Sequence, residues 1–309
     1  MKKLISIITP CFNEEENVEE LHARIQSVMA VLDYEYEQIF IDNASTDDTA
    51  KKLRDLAAKD QRVKVILNTR NFGHVRSPVY AILQAGGDAV IAMASDLQDP
   101  PERIPDFLKK WEEGYPVVIG VKEKTEASAF FHFFRTLYYR VLRSLSDVSL
   151  IENFTGFGLY DRKVMDIVRK IDDPYPYFRG MVSDLGFDVA KIIFTQPRRK
   201  RGLTKNNFYT LYDLAMLGLT SYTKVPLRIA TMFGFLSALV SFLIGLAYLI
   251  YKLIFWYQFS LGSAPLVIGL FFLGSVQLMF LGIVGEYIGA IYTQVMHRPL
   301  VIEKERINF

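Results

Sequence analysis

Residues 87–102 read GDAVIAMASDLQDPPE, an apolar run that ends in an acidic turn. A short apolar run bounded by turn residues predicts a strand buried on both faces, as in a parallel sheet. Asp96 and Asp99 follow the run, and two prolines come next, which is typical of the start of a helix. Carboxylate oxygens are the ligands that hard divalent cations bind in proteins. The stretch therefore predicts a buried strand whose carboxyl end carries a candidate cation site.

The same succession of strand, polar turn and helix recurs on both sides of this stretch. Apolar runs predict strands at residues 4–10, 36–45, 63–69, 88–95 and 116–122. Helical spacing predicts helices at residues 17–32, 47–58, 74–86 and 102–113. This alternation predicts a mostly parallel α/β sheet covered by helices on both faces, with ligands bound beyond the carboxyl ends of its strands. The sequence contains neither the glycine motif of the usual dinucleotide-binding fold after strand one nor a P-loop, which disfavours both classes.

Composition excludes several other classes. The net charge is +2 over 309 residues, so no general polyanion binding is expected and no nucleic-acid partner is predicted. Cys11 is the only cysteine, which rules out an intrachain disulfide and fits a reducing compartment. The N-terminal lysines and apolar run resemble a signal peptide, but the run is short and breaks at Pro10 into acidic sequence, which indicates a strand.

Two segments near the C-terminus are long and apolar enough to cross a membrane. No charged residue occurs from Ile229 to Tyr251, and residues 264–285 form a second uncharged run. A spanning helix needs about 20 such residues, so a membrane hairpin is favoured over two buried core helices. The cations that flank the outer ends are Lys224, Arg228, His297, Arg298, Lys304 and Arg306. Since the connecting loop carries only Lys252, the positive-inside rule places both termini and the N-terminal domain in the cytoplasm.

Four strand-end motifs resemble, in their order along the chain, those of the family 2 glycosyltransferases of GT-A fold. They are ITPCFNEEENV (8–18), IDNASTDDT (41–49), RNFG (70–73) and SDLQDPPE (95–102). With two C-terminal spans and GEYIGAIYTQVMHRP (285–299), nearly the whole chain resembles the polyisoprenyl-phosphate glycosyltransferases, which include bactoprenol glucosyltransferases and dolichol-phosphate mannose synthases. Neither tryptophan follows an arginine, so the QxxRW motif of the processive polysaccharide synthases is missing.

The resemblance implies four parts of the chain. They are a Rossmann-like GT-A glycosyltransferase domain at 1–205, juxtamembrane amphipathic helices at 206–228, two transmembrane helices at 229–290 and a cytoplasmic C-terminal tail at 291–309. It further implies a multi-pass enzyme of the bacterial inner membrane that transfers a hexose, with inversion, to undecaprenyl phosphate on the cytoplasmic face. Glucose from UDP-glucose is the expected donor. The expected partners are this nucleotide sugar, the polyisoprenyl phosphate, the lipid bilayer and further copies of the chain, in a tetramer.

The cation site is expected to hold Mg²⁺ or Mn²⁺ against the donor diphosphate. The resemblance implies two protein ligands, Asp96 and Gln98, with Asp96 also essential for catalysis. The DxD motif of the family reads ASD at residues 94–96, so its first aspartate is missing. Mg²⁺ needs few protein ligands when substrate phosphates complete its shell. Asp99 has an alternative interpretation as a cap of the helix beyond the two prolines.

By the same resemblance, residues at the ends of the first two strands line the nucleotide pocket. Those of the first strand are Pro10, Phe12, Asn13 and Glu14. Asp42 is expected to hold the base or ribose, although Asn43 stands where the family usually has a second aspartate. Ser45 is assigned to this pocket, with a helix N-cap as the alternative. Arg70 is expected to contact the donor phosphate, with a surface ion pair as the alternative.

Cations beyond the fifth strand and before the membrane are expected to position the lipid phosphate. Lys122 and Arg135 lie in VKEKTEASAFFHFFRTLYYR, just beyond the fifth strand. PRRKRGLTKNN (197–207) resembles the RxxGxTK loop of the family. The resemblance therefore assigns donor diphosphate, anionic lipid or both to Arg198, Arg201 and Lys205. Glu152 is the carboxylate nearest to the usual acidic position of the acceptor-side loop.

Two alternatives to glucosyl transfer remain open. Mannose, N-acetylhexosamine and aminoarabinose transferases share this layout. A catalytically weakened membrane scaffold or lipid-phosphate-binding partner is a different class of function, and Ala94 and the altered 152–158 loop motivate it. Metal-dependent hydrolysis of, or transfer from, UDP-glucose distinguishes an enzyme from a scaffold.

Overall fold

The apolar runs of the N-terminal region form the strands of one sheet. A computed structural model describes residues 2–123, 151, 154–197, 208–255 and 263–309. The strands are β1 Leu4–Cys11, β2 Glu35–Asp42, β3 Val63–Asn68, β4 Ala89–Ala92, β5 Val117–Lys122, β6 Phe154–Asp161, β7 Val189–Phe194 and β8 Glu303–Ile307. Within the described residues the sheet has eight strands, in the order β7–β5–β6–β4–β1–β2–β3–β8.

The centre of the sheet is parallel. β1 pairs with β2 and β4, and β2 pairs with β3, all in parallel, as do β5 and β7. β6 runs antiparallel between β4 and β5, and β8 runs antiparallel to β3. Ile5, Ile7 and Ile8 of β1 are fully buried, because both faces of the strand are covered. The predicted mostly parallel α/β sheet is confirmed.

Helices cover both faces of the sheet. They are α1 Val18–Met29, α2 Thr49–Lys59, α3 Gly73–Gln84, α4 Ile104–Glu112, α5 Arg162–Ile171, α6 Phe178–Asp184, α7 Phe208–Tyr222, α8 Val225–Ile254 and α9 Ser263–Val295, with a 3₁₀ turn at Pro101–Arg103 before α4. Leu21 of α1 and Phe107 of α4 belong to one apolar cluster with the sheet. Ile82 of α3 and Val164 of α5 belong to a second cluster on the other face. Burial on both faces leaves the strand ends as the place for polar side chains.

The last residues of the chain, predicted as a cytoplasmic C-terminal tail at 291–309, include the end of a helix and a strand of the sheet. α9 continues to Val295, and β8 then pairs with β3. Arg54 of α2 and Glu305 of β8 form an ion pair at 2.7 Å. The edge of β3 would otherwise present unpaired backbone groups, and the short strand β8 satisfies them. The C-terminal segment is therefore part of the sheet of the N-terminal domain.

α8 and α9 carry the two segments that are long and apolar enough to cross a membrane. The candidate spans are Val225–Ala247 and Phe272–Val295, and nearly all of the most apolar stretch of each is exposed. Phe235 and Leu270, for example, are 77% and 69% exposed. A core helix of a soluble protein buries such side chains, so these two helices indicate membrane association.

The predicted juxtamembrane segment at 206–228 contains α7 and the first turn of α8. The Tyr212 hydroxyl of α7 donates to Glu286 Oε1 of α9 at 2.9 Å. The Tyr287 hydroxyl of α9 donates to the carbonyl of Thr223 at 2.7 Å, in the turn between α7 and α8. These contacts hold α7 against the second apolar helix, close to the sheet domain.

Candidate active site

β4, β1 and β2 are neighbouring parallel strands, so their carboxyl ends lie side by side at one end of the sheet. Just beyond each end, one residue other than glycine has a positive φ: Asn13 (56°), Ala44 (62°) and Leu97 (60°). This conformation is uncommon for such residues and is strained for a bulky side chain such as leucine. Leu97 is 5% exposed, while Asp96 and Gln98 on either side of it are partly exposed. The strained turn thus presents the two predicted metal ligands at the surface, beside the carboxyl ends of the three strands.

Ser45 links the first two strand ends. Its hydroxyl donates to Asp42 Oδ1 and accepts a hydrogen bond from the Asn13 N–H at 2.8 Å. The Ser45 N–H donates to Asp42 Oδ2 at 3.0 Å. Asp42 is 2% exposed, and burial raises the pKa of its carboxyl. Because α2 begins at Thr49, the N-cap alternative for Ser45 is wrong, and Ser45 instead holds the Asp42 carboxylate in place.

Asn43 stands where the family usually has a second aspartate, and it holds the neighbouring loop. Its Oδ1 accepts from the Phe72 N–H at 2.8 Å and from Asn68 Nδ2 at 3.1 Å. Its Nδ2 donates to Asn71 Oδ1 at 2.9 Å and to the Gly73 carbonyl at 3.2 Å. A carboxylate has no N–H and could not make the last two contacts. The amide therefore positions the loop between β3 and α3, a role that the motifs did not predict.

The acidic turn after β4 is organised around the backbone of Ala94. Asp99 Oδ2 accepts a hydrogen bond from the Ala94 N–H at 2.9 Å, and Asp96 Oδ1 accepts from the Gln98 N–H at 3.1 Å. Asp99 makes no cap hydrogen bond to the 3₁₀ turn at Pro101–Arg103, so the helix-cap alternative is wrong. Asp99 instead accepts a hydrogen bond from the backbone of Ala94, the residue that replaces the first aspartate of the DxD motif.

Lys122, the last residue of β5, shares this group of charges. Burial lowers the pKa of its ammonium group, and the charges of Asp99 and Asp96 oppose that change. Burial raises the pKa of Asp99 to about 6; Asp96 also raises it, whereas the Ala94 N–H and Lys122 lower it. The structure thus brings the predicted residues Asp96 and Lys122 into one electrostatic group and adds Asp99, which sequence reasoning had treated as a cap.

The residues predicted for the nucleotide pocket at the end of β1 have different environments. The Pro10 carbonyl accepts from the Ser95 hydroxyl at 2.9 Å, which joins the ends of β1 and β4. Phe12 is partly buried. Glu14 is 8% exposed, and its Oε2 accepts from Asn17 Nδ2 at 2.6 Å. The Glu14 carboxylate is therefore part of the internal framework of this loop.

Arg70 lies in the loop that follows the carboxyl end of β3. Its guanidinium is 4.1 Å from the ring centroid of Phe72, and its Nη1 donates to the Asn71 carbonyl at 3.1 Å. Its contacts within the described residues include no carboxylate, so the surface ion pair considered for it is not found there. The predicted residues that lie outside the described part of the chain are Arg135, Glu152, Arg198, Arg201 and Lys205.

The donors after β4 fit a divalent cation that is shared with a diphosphate. Asp96 offers a carboxylate and Gln98 an amide oxygen, both partly exposed at the strand end. In the described ranges of the chain, no group of three or more His, Cys, Asp and Glu residues could hold a metal by itself. Mg²⁺ commonly binds one or two carboxylates together with substrate phosphates and water. The site therefore has the donor set of a cation that arrives with its phosphate ligand.

Known proteins match both the sheet domain that carries this site and the two C-terminal helices. Residues 6–168 match the profile of glycosyl transferase family 2, and residues 225–291 match that of the GtrB C-terminal hairpin. The chain is 36% identical over 298 residues to the glycosyltransferase YkcC of Bacillus subtilis, covering 96% of this chain and 92% of that protein. It is 33% identical over 301 residues to the bactoprenol glucosyl transferase of Shigella phage SfV, covering 97% and 98%.

Among solved structures, glucosyl-3-phosphoglycerate synthase from Mycobacterium tuberculosis, crystallised with Mg²⁺ and UDP, superposes with a TM-score of 0.49. The sequence identity is 18%, and the superposition covers 71% of this chain and 77% of that one. The family assignment rests instead on the profile, which matches more than half of the chain, and on the relatives above 30% identity. The chain therefore belongs to glycosyl transferase family 2, as a glycosyltransferase of GT-A fold with a GtrB-type hairpin near its C-terminus.

Proposed function

We propose that this glycosyltransferase transfers glucose from UDP-glucose to undecaprenyl phosphate or a similar polyisoprenyl phosphate, with inversion at the sugar carbon. The observation that carries the proposal is the similarity to a bactoprenol glucosyl transferase over 97% of the chain, with the membrane hairpin included. A polyisoprenyl acceptor stays in the bilayer, so an enzyme that uses it needs a site held at the membrane surface. The two apolar helices beside the sheet domain meet that need.

The nucleotide is proposed to bind beyond the ends of β1 and β2. Asp42 accepts two hydrogen bonds from Ser45 and interacts with the Ala44 N–H, and its carboxylate keeps acceptor capacity for a ribose hydroxyl or a base N–H. Asn13 and Ser45 fix the position of that carboxylate. Pro10, Phe12 and Glu14 shape the pocket, with Glu14 acting through the fold of its loop.

The donor diphosphate is proposed to lie over the acidic turn after β4. Asp96 and Gln98 would hold Mg²⁺ or Mn²⁺ there. When bound, the cation neutralises the charge that develops on the UDP leaving group. Lys122 adds a positive charge close to Asp96, which favours an anionic ligand beside the acidic turn. Asp99 keeps the turn in shape through the Ala94 N–H.

The acceptor phosphate needs positioning more than activation. Its second pKa is about 6, so at pH 7 it is mostly a dianion and its oxygen is already nucleophilic. That oxygen forms the new bond to the sugar carbon, while the bond from this carbon to the diphosphate oxygen breaks and UDP leaves. The cations proposed to orient the acceptor and donor phosphates are Lys122, Arg135, Arg198, Arg201 and Lys205. Glu152 is the proposed acidic residue of the acceptor-side loop.

Both ends of the hairpin are proposed to lie in the cytoplasm of a bacterium, at the inner membrane. β8, which follows the second span, pairs with β3, which precedes the first. Strands of one sheet lie on the same side of a bilayer, so the chain between them crosses it an even number of times. Lys224, Arg228 and Arg298 flank the outer ends, which favours the cytoplasmic side.

The protein is further proposed to form a homo-oligomer, a tetramer as in similar enzymes. The glycines at 269, 274, 282, 285 and 289 of α9 have open space where a side chain would stand. Small residues allow membrane helices to approach closely. The hairpins of neighbouring copies could therefore pack through these positions.

The transfer assay uses full-length protein in bilayer vesicles with undecaprenyl phosphate and radiolabelled UDP-glucose. We expect a metal-dependent glucolipid product, with other nucleotide sugars reacting more slowly. Asp96→Asn should nearly abolish transfer, because a metal ligand is lost while the fold persists. Asp33→Asn is the matched control, since Asp33 precedes β2 at the opposite end of the sheet and its side chain is 87% exposed. Full turnover by Asp96→Asn would remove the metal role of Asp96.

Calorimetry of UDP binding distinguishes an enzyme from a scaffold. With only two protein ligands, the metal should bind weakly alone and more tightly with UDP, and the two must strengthen each other equally. The coupling expected is about 1–3 kcal/mol. Equal UDP affinity with Mn²⁺ and with chelator would contradict a diphosphate-linked metal site. Binding of undecaprenyl phosphate without any sugar transfer would support the scaffold instead.

A further inference from the structure

Three arginines meet where the second apolar helix returns to the sheet domain. Arg70 follows β3, Arg76 lies near the start of α3, and Arg298 follows the last residue of α9 by three positions. Nη2 of Arg76 donates to the carbonyl of Pro299. The guanidinium groups of Arg70 and Arg76 lie 4.1 and 5.3 Å from the ring centroid of Phe72. Arg70, Arg76 and Arg298 are named the arginine cluster.

The three positive charges of the arginine cluster repel one another. Burial lowers the pKa of Arg76, and the charges of Arg70 and Arg298 lower it further, while Tyr175 opposes them. Nε of Arg76 is buried and has no hydrogen-bond partner among the residues that the structure describes. A buried donor without an acceptor costs free energy, and so does the proximity of like charges. One anion bound between the guanidinium groups would relieve both.

The cluster lies beside a surface suited to acyl chains. Ile291, Tyr292 and Val295, in the last turns of α9, are 60%, 62% and 68% exposed. The candidate span of α9 ends at Val295, three residues before Arg298. Cations and aromatic rings at the end of a span lie at the level of the lipid headgroups. The cluster therefore combines cations at headgroup level with an apolar helix face.

We propose that the arginine cluster binds the phosphodiester headgroup of an anionic phospholipid, whose acyl chains lie along the exposed end of α9. Guanidinium groups bind phosphate through paired N–H donors, so several of them around one headgroup form a specific site. Arg70 belongs to this site through its proximity to Arg76. The lipid would fasten the end of α9 to the start of α3, and so hold the sheet domain at a set distance from the bilayer.

The test uses full-length protein in a neutral detergent, titrated separately with phosphatidylglycerol, phosphatidylcholine, inorganic phosphate and undecaprenyl phosphate. Native mass spectrometry counts bound lipid, and thermal unfolding measures stabilisation. We expect phosphatidylglycerol to bind and to raise the Tm, and phosphatidylcholine and inorganic phosphate to do neither. Arg70→Gln and Arg298→Gln should each weaken phosphatidylglycerol binding about fivefold, as expected for loss of one cation at a lipid surface. Both residues are exposed, so these variants should fold.

Arg62→Gln is the matched control. It removes the same charge at the opposite end of β3, where Arg62 pairs with Asp60 at 2.8 Å, and it should leave lipid binding unchanged. Arg76→Lys keeps the charge but loses the planar fork, so it should also weaken binding. Equal phosphatidylglycerol binding by wild type and by the Arg70 and Arg298 variants would overturn the proposal. Equal stabilisation by inorganic phosphate, or cluster-dependent binding of undecaprenyl phosphate alone, would also overturn it, in favour of a free-anion site or an acceptor site.

Discussion

Replacing Asp99 by asparagine should change how the stability of the protein depends on pH. Asp99 is 5% exposed, and burial raises its pKa from 3.8 to about 6. A carboxyl whose pKa is raised by folding adds stability that is fully present below its ordinary pKa and is lost as the pH rises through its folded pKa. Asparagine keeps an oxygen for the Ala94 N–H and cannot ionise, so Asp99→Asn removes this pH dependence.

The magnitude follows from the size of the pKa rise. A rise of about two units corresponds to about 3 kcal/mol of unfolding free energy over the whole pH range. Roughly half of this is lost between pH 5 and pH 8, because the unfolded carboxyl is already ionised at pH 5. At about 2–4 °C per kcal/mol, the loss corresponds to roughly 3–6 °C in Tm. In the variant Lys122 also loses the charge of Asp99, which changes the Tm itself. The quantity to measure is therefore how the Tm difference between variant and wild type changes with pH.

The assay is thermal unfolding of the full-length protein in detergent, in steps from pH 5 to pH 8. The Tm of Asp99→Asn minus that of wild type should increase by roughly 3–6 °C over this range. Asp106→Asn is the control, because it removes a carboxyl that is exposed and paired with Arg103 instead of buried. A constant Tm difference for Asp99→Asn would refute the reasoning, since it would mean that Asp99 titrates alike in the folded and unfolded states.

Three further substitutions test the site and the sheet. Ala94→Asp should strengthen Mn²⁺ binding to the protein without UDP and reduce the metal–UDP coupling below about 1–3 kcal/mol in calorimetry, because it restores a second carboxylate. Ser45→Ala should weaken UDP binding by about 1.5 kcal/mol, or roughly tenfold, because the Asp42 carboxylate loses its hydroxyl partner; unchanged affinity would exclude Asp42 as a nucleotide contact. Gly158→Ala should lower the unfolding free energy by about 1–3 kcal/mol in thermal unfolding, since its Cβ would stand 2.5 Å from the Val118 carbonyl oxygen, and an unchanged Tm would contradict this close approach.

The N-terminal α/β pattern and the two apolar segments could be predicted from the sequence alone. Each strand before residue 123 was placed within a few residues, because an apolar run between turn residues is a local signal. The extra length given to β2 is a local error, since polar residues 43–45 turn away to hold Asp42 and the loop after β3. The family was also evident from the order of its strand-end motifs, as the matching profiles confirm.

The contacts that organise the site depend on the tertiary structure. The prolines after Asp99 predict a helix cap as one role for it, yet Asp99 binds the Ala94 backbone within a turn whose shape a motif does not show. The sequence predicts a tail at 291–309, yet β8 within it pairs with the edge of β3, and Arg54 and Glu305 meet there across 251 positions of sequence. The arginine cluster likewise brings Arg298 to Arg70 and Arg76, which lie far away in the sequence. Hydrophobic periodicity reports which residues face the core, whereas pairing between distant segments is decided by register and packing, which no local pattern encodes.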